Sequence, residues 1–214
     1  MRNTTMFFDT LESRRLMSGT INVGPLLIDR FNIRIAWDPT VLNVVGTEGN
    51  DQIRITRTPT QLVVNVNGRG SFAPISAIRS LRILGLGGHD RIMLVDPAGK
   101  PAMVDAGAGN DYVFGGPGND TLYGGDGRDW IQANNGDDYL SGGAGDDILE
   151  GGAGNDVFTG DAGFDRMFGQ NGNDFFYAND RQVDMVDGGL GYDRAIVDKF
   201  PPLADGRNSI EALV

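Results

Sequence analysis

Between Ala106 and Tyr177 the chain repeats one nine-residue phrase eight times without a gap. The clearest copies are Gly115–Tyr123, Gly142–Glu150 and Gly151–Thr159, each reading Gly-Gly-x-Gly-x-Asp-x-apolar-x. A period this strict constrains the fold more than any other property of the chain. Each copy must be one small structural unit that cannot bury its apolar face alone and does so by stacking on its neighbours, which is a solenoid.

The phrase divides into a turn and a strand. Its last three residues alternate outward, inward, outward, so one apolar side chain per copy faces the core. Those inward positions are Val113, Leu122, Ile131, Leu140, Leu149, Phe158, Met167 and Phe176. A loop or a disordered Gly/Asp-rich linker would not keep an apolar residue there through eight periods. The first six residues must reverse the chain. The fourth-position glycines, Gly109, Gly118, Gly127, Gly136, Gly145, Gly154, Gly163 and Gly172, supply positive φ without steric cost. Asn134, Asp161 and Gln170 replace the second glycine of their copies. Of these, Asn and Asp tolerate left-handed geometry better than Gln, so the turn Gly169–Asp174 is expected to be the weakest.

The sixth position is aspartate in every copy: Asp111, Asp120, Asp129, Asp138, Asp147, Asp156, Asp165 and Asp174. Residues 105–193 hold eighteen acidic and three basic residues, whereas residues 1–84 hold six acidic and ten basic, within a net charge of -11. Such an acidic block repels itself and favours an expanded chain unless cations neutralise it. Nucleic acid is an improbable partner for that surface. A hard cation such as calcium takes six to eight oxygen ligands, and a glycine-rich turn leaves its carbonyls free to join the carboxylate. The chain has no cysteine, which excludes disulfides and thiolate metal sites. No run of about 18 apolar residues could span a bilayer, and the N-terminus lacks the apolar core of a secretory signal peptide.

If two phrases complete one coil, carboxylates eighteen residues apart face the same gap. Asp111, Asp129, Asp147 and Asp165 then line one edge, and Asp120, Asp138, Asp156 and Asp174 the other. This arrangement resembles the hemolysin-type calcium-binding repeats, the glycine-rich RTX nonapeptides of bacterial exported proteins. The resemblance implies an all-β chain, a right-handed parallel β-roll, with calcium between successive coils and a thin apolar core between two sheets. It implies several Ca2+ ions, roughly six if the turns complete the coordination.

Outside the array the pattern thins. Degenerate copies occur at Gly46–Arg54, Gly85–Met93 and Gly188–Ile196, and the register slips by one residue across Ala178–Asp187. Asp90 and Asp193 from these copies join the candidate ligands. Asp51 and Asp90 lack adjacent in-register phrases, which leaves their role open. The alternating runs Gln52–Arg57 and Gln61–Asn67, with Asn67–Gly70 as the closing turn, predict a hairpin. His89 falls at the fifth position of a degenerate copy and reads as an exposed turn residue. Four segments result: 1–19, targeting-like or disordered with helical spacing; 20–104, a strand-rich extension; 105–196, the repeat roll; and 197–214, a C-terminal cap. Leu11–Ser18 is similar to the Leu-Glu-Pro-Arg-x-Leu-Leu element of bacterial envelope proteins, with Ser13 and Met17 departing from it.

These features predict a calcium-binding module of a secreted or cell-surface bacterial protein, structural or adhesive, with cell-surface polysaccharide or protein as possible partners. The alternative is the roll of an extracellular enzyme. No His-Glu-x-x-His or Gly-x-Ser-x-Gly phrase supports that alternative, and a single histidine leaves no evident general base.

Overall fold

The computed structural model describes residues 33–35, 38, 40–197, 206–208 and 212–213. The helical reading of residues 1–19 and the envelope-protein element therefore lie outside the described residues. The described chain forms two ten-stranded sheets, entered alternately as it winds. Strand partners in the array are eighteen residues apart: Leu122 pairs with Val104 and Leu140, and Ile131 with Val113 and Leu149, all in parallel. Two phrases thus complete one coil, as the eighteen-residue stacking requires, and the fold is a parallel β-solenoid. Among the described residues there is no α-helix, and no helix is long and apolar enough to cross a membrane.

Every predicted inward side chain from Val113 to Phe176 is fully buried. Phe158 and Phe176, stacked on successive coils, place their rings 4.6 Å apart and nearly parallel. A second inward position follows two residues later, where the phrase begins again, and it holds a buried glycine or alanine such as Gly124, Ala133 or Gly142. The array core is therefore one large side chain wide on each strand.

The solenoid continues on both sides of the array. Val41–Val45, Ser80–Leu84 and Ala102–Ala108 extend one sheet, and Gln52–Arg57 and Arg91–Leu94 the other. The strand Ala102–Ala108 runs across the boundary placed at residue 104, so the same two sheets pass through it. Coil length varies here: Ile53 pairs with Ile92, 39 residues on, because the intervening chain makes an excursion. That excursion is an antiparallel meander of Gln52–Arg57, Gln61–Val66 and Arg69–Pro74. Asn67 and Gly68 take φ of 53° and 78°, the left-handed pair of a two-residue hairpin turn. The turn is thus shorter than the predicted Asn67–Gly70. Its third strand escaped notice because Arg-Gly-Ser-Phe-Ala-Pro contains no β-branched residue. Ile33–Ile35 closes the other sheet, antiparallel to Val41–Val45.

Beyond the array the coil is nineteen residues, with Met167 opposite Val186 and Phe176 opposite Ala195. The extra residue lies in the turn before Asp184. Gly206–Asn208 and Ala212–Leu213 then add one strand to each sheet.

The fourth-position glycines have φ between 129° and 150° throughout the array except Gly118. A Cβ on any of the others would strike a carbonyl of the preceding coil, so these positions need glycine for space as well as for φ. Asn134, Asp161 and Gln170 also take positive φ, at 84°, 66° and 73°. The left-handed conformation costs an ordinary residue about 1–2 kcal/mol, and among the described residues the Gln170 side chain has only a 3.4 Å contact to Glu150 in return. Gln170→Gly should therefore raise stability by about 1 kcal/mol in denaturant unfolding of the calcium-loaded protein, and an unchanged or lower midpoint would contradict the strain.

Candidate metal centre

The sixth-position aspartates form two continuous ladders, one along each edge of the solenoid. In each step the Oδ1 of one aspartate accepts the backbone N–H of the aspartate one coil earlier. Asp129 accepts from Asp111 and Asp147 from Asp129, both at 2.7 Å, and Asp165 from Asp147 at 2.9 Å. On the other edge Asp138 accepts from Asp120, Asp156 from Asp138, Asp174 from Asp156 and Asp193 from Asp174, at 2.7–2.9 Å. The two expected edges are present with the expected members.

The ladders are longer than the sequence indicated. Asp111 accepts from Asp90, and Asp90 from Asp51, across coils of 21 and 39 residues. Both outlying aspartates are thus in register despite their irregular spacing. At the far end Asp184 accepts the Asp165 N–H at 3.0 Å. Asp184 went unnoticed because Gln182 stands where the fourth glycine should be. The surviving signal was Asp184-Met-Val186 followed by Gly188-Gly.

All of these carboxylates are at most 4% exposed. For Asp90, Asp111, Asp129, Asp138, Asp147, Asp156, Asp165 and Asp174, the second oxygen, Oδ2, finds no hydrogen-bond donor among the described residues. A buried carboxylate oxygen without a partner is costly. In six of these, Asp90, Asp129, Asp147, Asp156, Asp165 and Asp174, Oδ2 lies against the first glycine of its own phrase, whereas the phrases of Asp111 and Asp138 begin with Ala106 and Ala133. A methyl group added to Gly124 would collide with both Oδ2 of Asp129 and the carbonyl of Gly142 in the next coil. The same pair of oxygens flanks Gly142 and Gly169, from Asp147 with Gly160 and from Asp174 with Gly188.

At these glycines a carboxylate and a carbonyl oxygen thus converge between coils where a Cβ would otherwise stand. This donor set fits a hard, oxygen-seeking cation. Among the described residues no three His, Cys, Asp or Glu side chains gather as a metal group. Coordination beyond the aspartates would therefore come from turn carbonyls.

The model of the RTX calcium-binding nonapeptide repeat, in four copies, matches residues 103–131, 123–158 and 150–180. Residues 103–180 are RTX calcium-binding repeats. Neither a curated protein nor a solved structure matches the chain.

A second ladder runs beside the first in these RTX repeats. Fifth-position side chains accept the N–H of the fifth residue one coil later: Asn119 from Asp137, Asp137 from Asn155, and Asn155 from Asn173. Asn or Asp fills this position in six of the eight copies, the signal that reading it as variable overlooked. His89 is exposed, as expected, but it also belongs to this series: its Nδ1 accepts the Asn110 N–H at 2.7 Å and its own N–H reaches Asn50.

Burial is the main force on the buried carboxyls and raises their pKa, to about 7 for Asp129, Asp138 and Asp156 and about 8 for Asp165. At Asp165 the Asp147 N–H opposes the rise, while the charges of Asp184, Asp147 and Asp180 add to it. A folded-state pKa above the unfolded value near 3.8 stabilises the fold at low pH, and that stabilisation disappears as pH rises through 6–8. Metal-free protein should therefore lose β-structure between pH 5 and pH 8, and calcium should bind more weakly at pH 6 than at pH 8 because it must displace protons. A pH-independent calcium midpoint would count against burial of these carboxyls. Asp147→Ala should raise the calcium midpoint more than Asp51→Ala, read by calcium titration of each variant; equal shifts would contradict ligation in the coil gaps.

Proposed function

We propose that the chain is a calcium-binding module of an exported or cell-surface bacterial protein, with a structural or adhesive role and no catalytic one. The observation that carries this reading is the series of buried Oδ2 atoms facing carbonyls across glycine gaps. Calcium would join both oxygens, neutralise the ladder charge and convert its binding energy into folding energy. A low-calcium compartment then keeps the acidic array loose, and a calcium-rich exterior makes it rigid. Roughly six ions would serve the gaps, with Asp90, Asp111, Asp129, Asp138, Asp147, Asp156, Asp165 and Asp174 as ligands.

The outer faces offer material for adhesion. Tyr112 and Trp130 meet edge-on, with ring centres 5.2 Å apart, and Trp130 is 43% exposed. Such a pair suits stacking on a sugar ring or a partner's side chain.

Circular dichroism at pH 8 tests the proposal. Metal-stripped protein should show little array β-signal and gain it cooperatively at about 0.1–1 mM calcium, the range of extracellular modules, with a weaker response to magnesium. A full β-spectrum after removal of calcium would overturn the switch.

A further inference from the structure

The two carboxylate ladders begin differently from the way they continue. Asp51, the first residue of one, has both oxygens served by protein donors: Oδ2 accepts the N–H of Thr47, Oδ1 accepts the side-chain amide of Asn67, and the Thr47 hydroxyl lies within reach of both. Asn67 also takes the Gln52 N–H at 2.8 Å, so the turn of the meander is fastened to the ladder's end. Asp120, the first residue of the other ladder, accepts the Ala102 N–H on Oδ1 and the Gly116 N–H on Oδ2, both at 2.8 Å. A carboxylate so supplied has no call on a cation.

The core changes at the same place. N-terminal strands bury two large apolar side chains each, Ile53 with Ile55, Leu81 with Ile83, and Ile92 with Leu94. Array strands bury one, followed by a glycine or alanine that leaves room for Oδ2. Charge changes as well: residues 40–104 carry seven basic and four acidic residues, without the acidic excess of the array. Antiparallel strands close both sheets on this side.

We infer that residues 40–84 fold without calcium and act as the template on which the calcium-bound coils assemble toward the C-terminus, with Asp51 and Asp120 as caps rather than ligands. The inference rests on the calcium-dependent folding of the array proposed above. In a solenoid each coil contacts only its neighbours, so the first coil is the most costly to order. A prefolded face removes that step and sets the register of both ladders.

Hydrogen exchange of the full chain at pH 8, in metal-stripped and calcium-containing buffer, decides the matter. Without calcium, amides of Gln52–Arg57, Gln61–Val66 and Ser80–Leu84 should exchange at least ten times more slowly than those of Tyr139–Ala144 and Ile148–Ala153. With calcium both groups should be protected. Equally fast exchange in both groups without calcium would overturn the template and leave the calcium switch intact. Protection of both groups without calcium would overturn the switch itself, and the template with it.

Asp51→Ala should abolish the metal-free protection while leaving the number of bound calcium ions unchanged by atomic emission; loss of an ion would make Asp51 a ligand and refute its role as a cap. Should that variant fail to fold, Thr47→Val keeps the carboxylate, removes one donor and should reduce the same protection, and an unchanged value would refute the cap.

Discussion

Everything in the array depends on placing a buried carboxylate in every phrase. One oxygen of each aspartate holds the backbone of the coil before it, and in six of the eight phrases the other lies against the glycine five residues earlier. The first contact sets the rise from coil to coil. The second explains why six of the eight phrases begin with glycine and the other two with nothing larger than alanine, Ala106 and Ala133, and hence why the core is narrow. A fold built this way gives up apolar burial, worth about 25 cal/mol for each Å², for an electrostatic bond that needs a counter-ion.

The N-terminal coils use the opposite solution within the same two sheets. Ile53 and Ile55, or Leu81 and Ile83, occupy both inward positions of a strand, and the ladder ends on Thr47 and Asn67 rather than on a charge from outside. Strand pairing is uninterrupted between the two regimes, so the difference lies in what fills the space between the sheets. Antiparallel pairings finish both sheets on this side.

Most of the array was legible because its rules are local. The inward residues from Val113 to Phe176, the eighteen-residue pairing and the two rows of aspartates all follow from counting positions within the phrase. What escaped was decided at a distance. Asp51 and Asp90 join the ladder although 39 and 21 residues separate successive members, because loop length is free so long as strand register is kept. Asp184 was hidden by a ten-residue phrase, Ala178–Asp187, without the marker glycine. The strand Arg69–Pro74 owes its place to the Asn67-Gly68 turn and to its partner strand, with little propensity of its own. His89 was legible as exposed, yet its part in the fifth-position ladder needs Asn50 and Asn110 beside it.

The eighteen-residue coil also governs how such a chain can change length. Adding or deleting two phrases returns each later aspartate to its own edge and each strand to its own sheet, whereas a single phrase exchanges the two edges for everything downstream. The nineteen-residue coil before Asp184 shows that one extra residue can be absorbed in a turn without that exchange. The number of coils is therefore adjustable in the middle of the protein, in units of two phrases, while the specialised N-terminal end stays as it is.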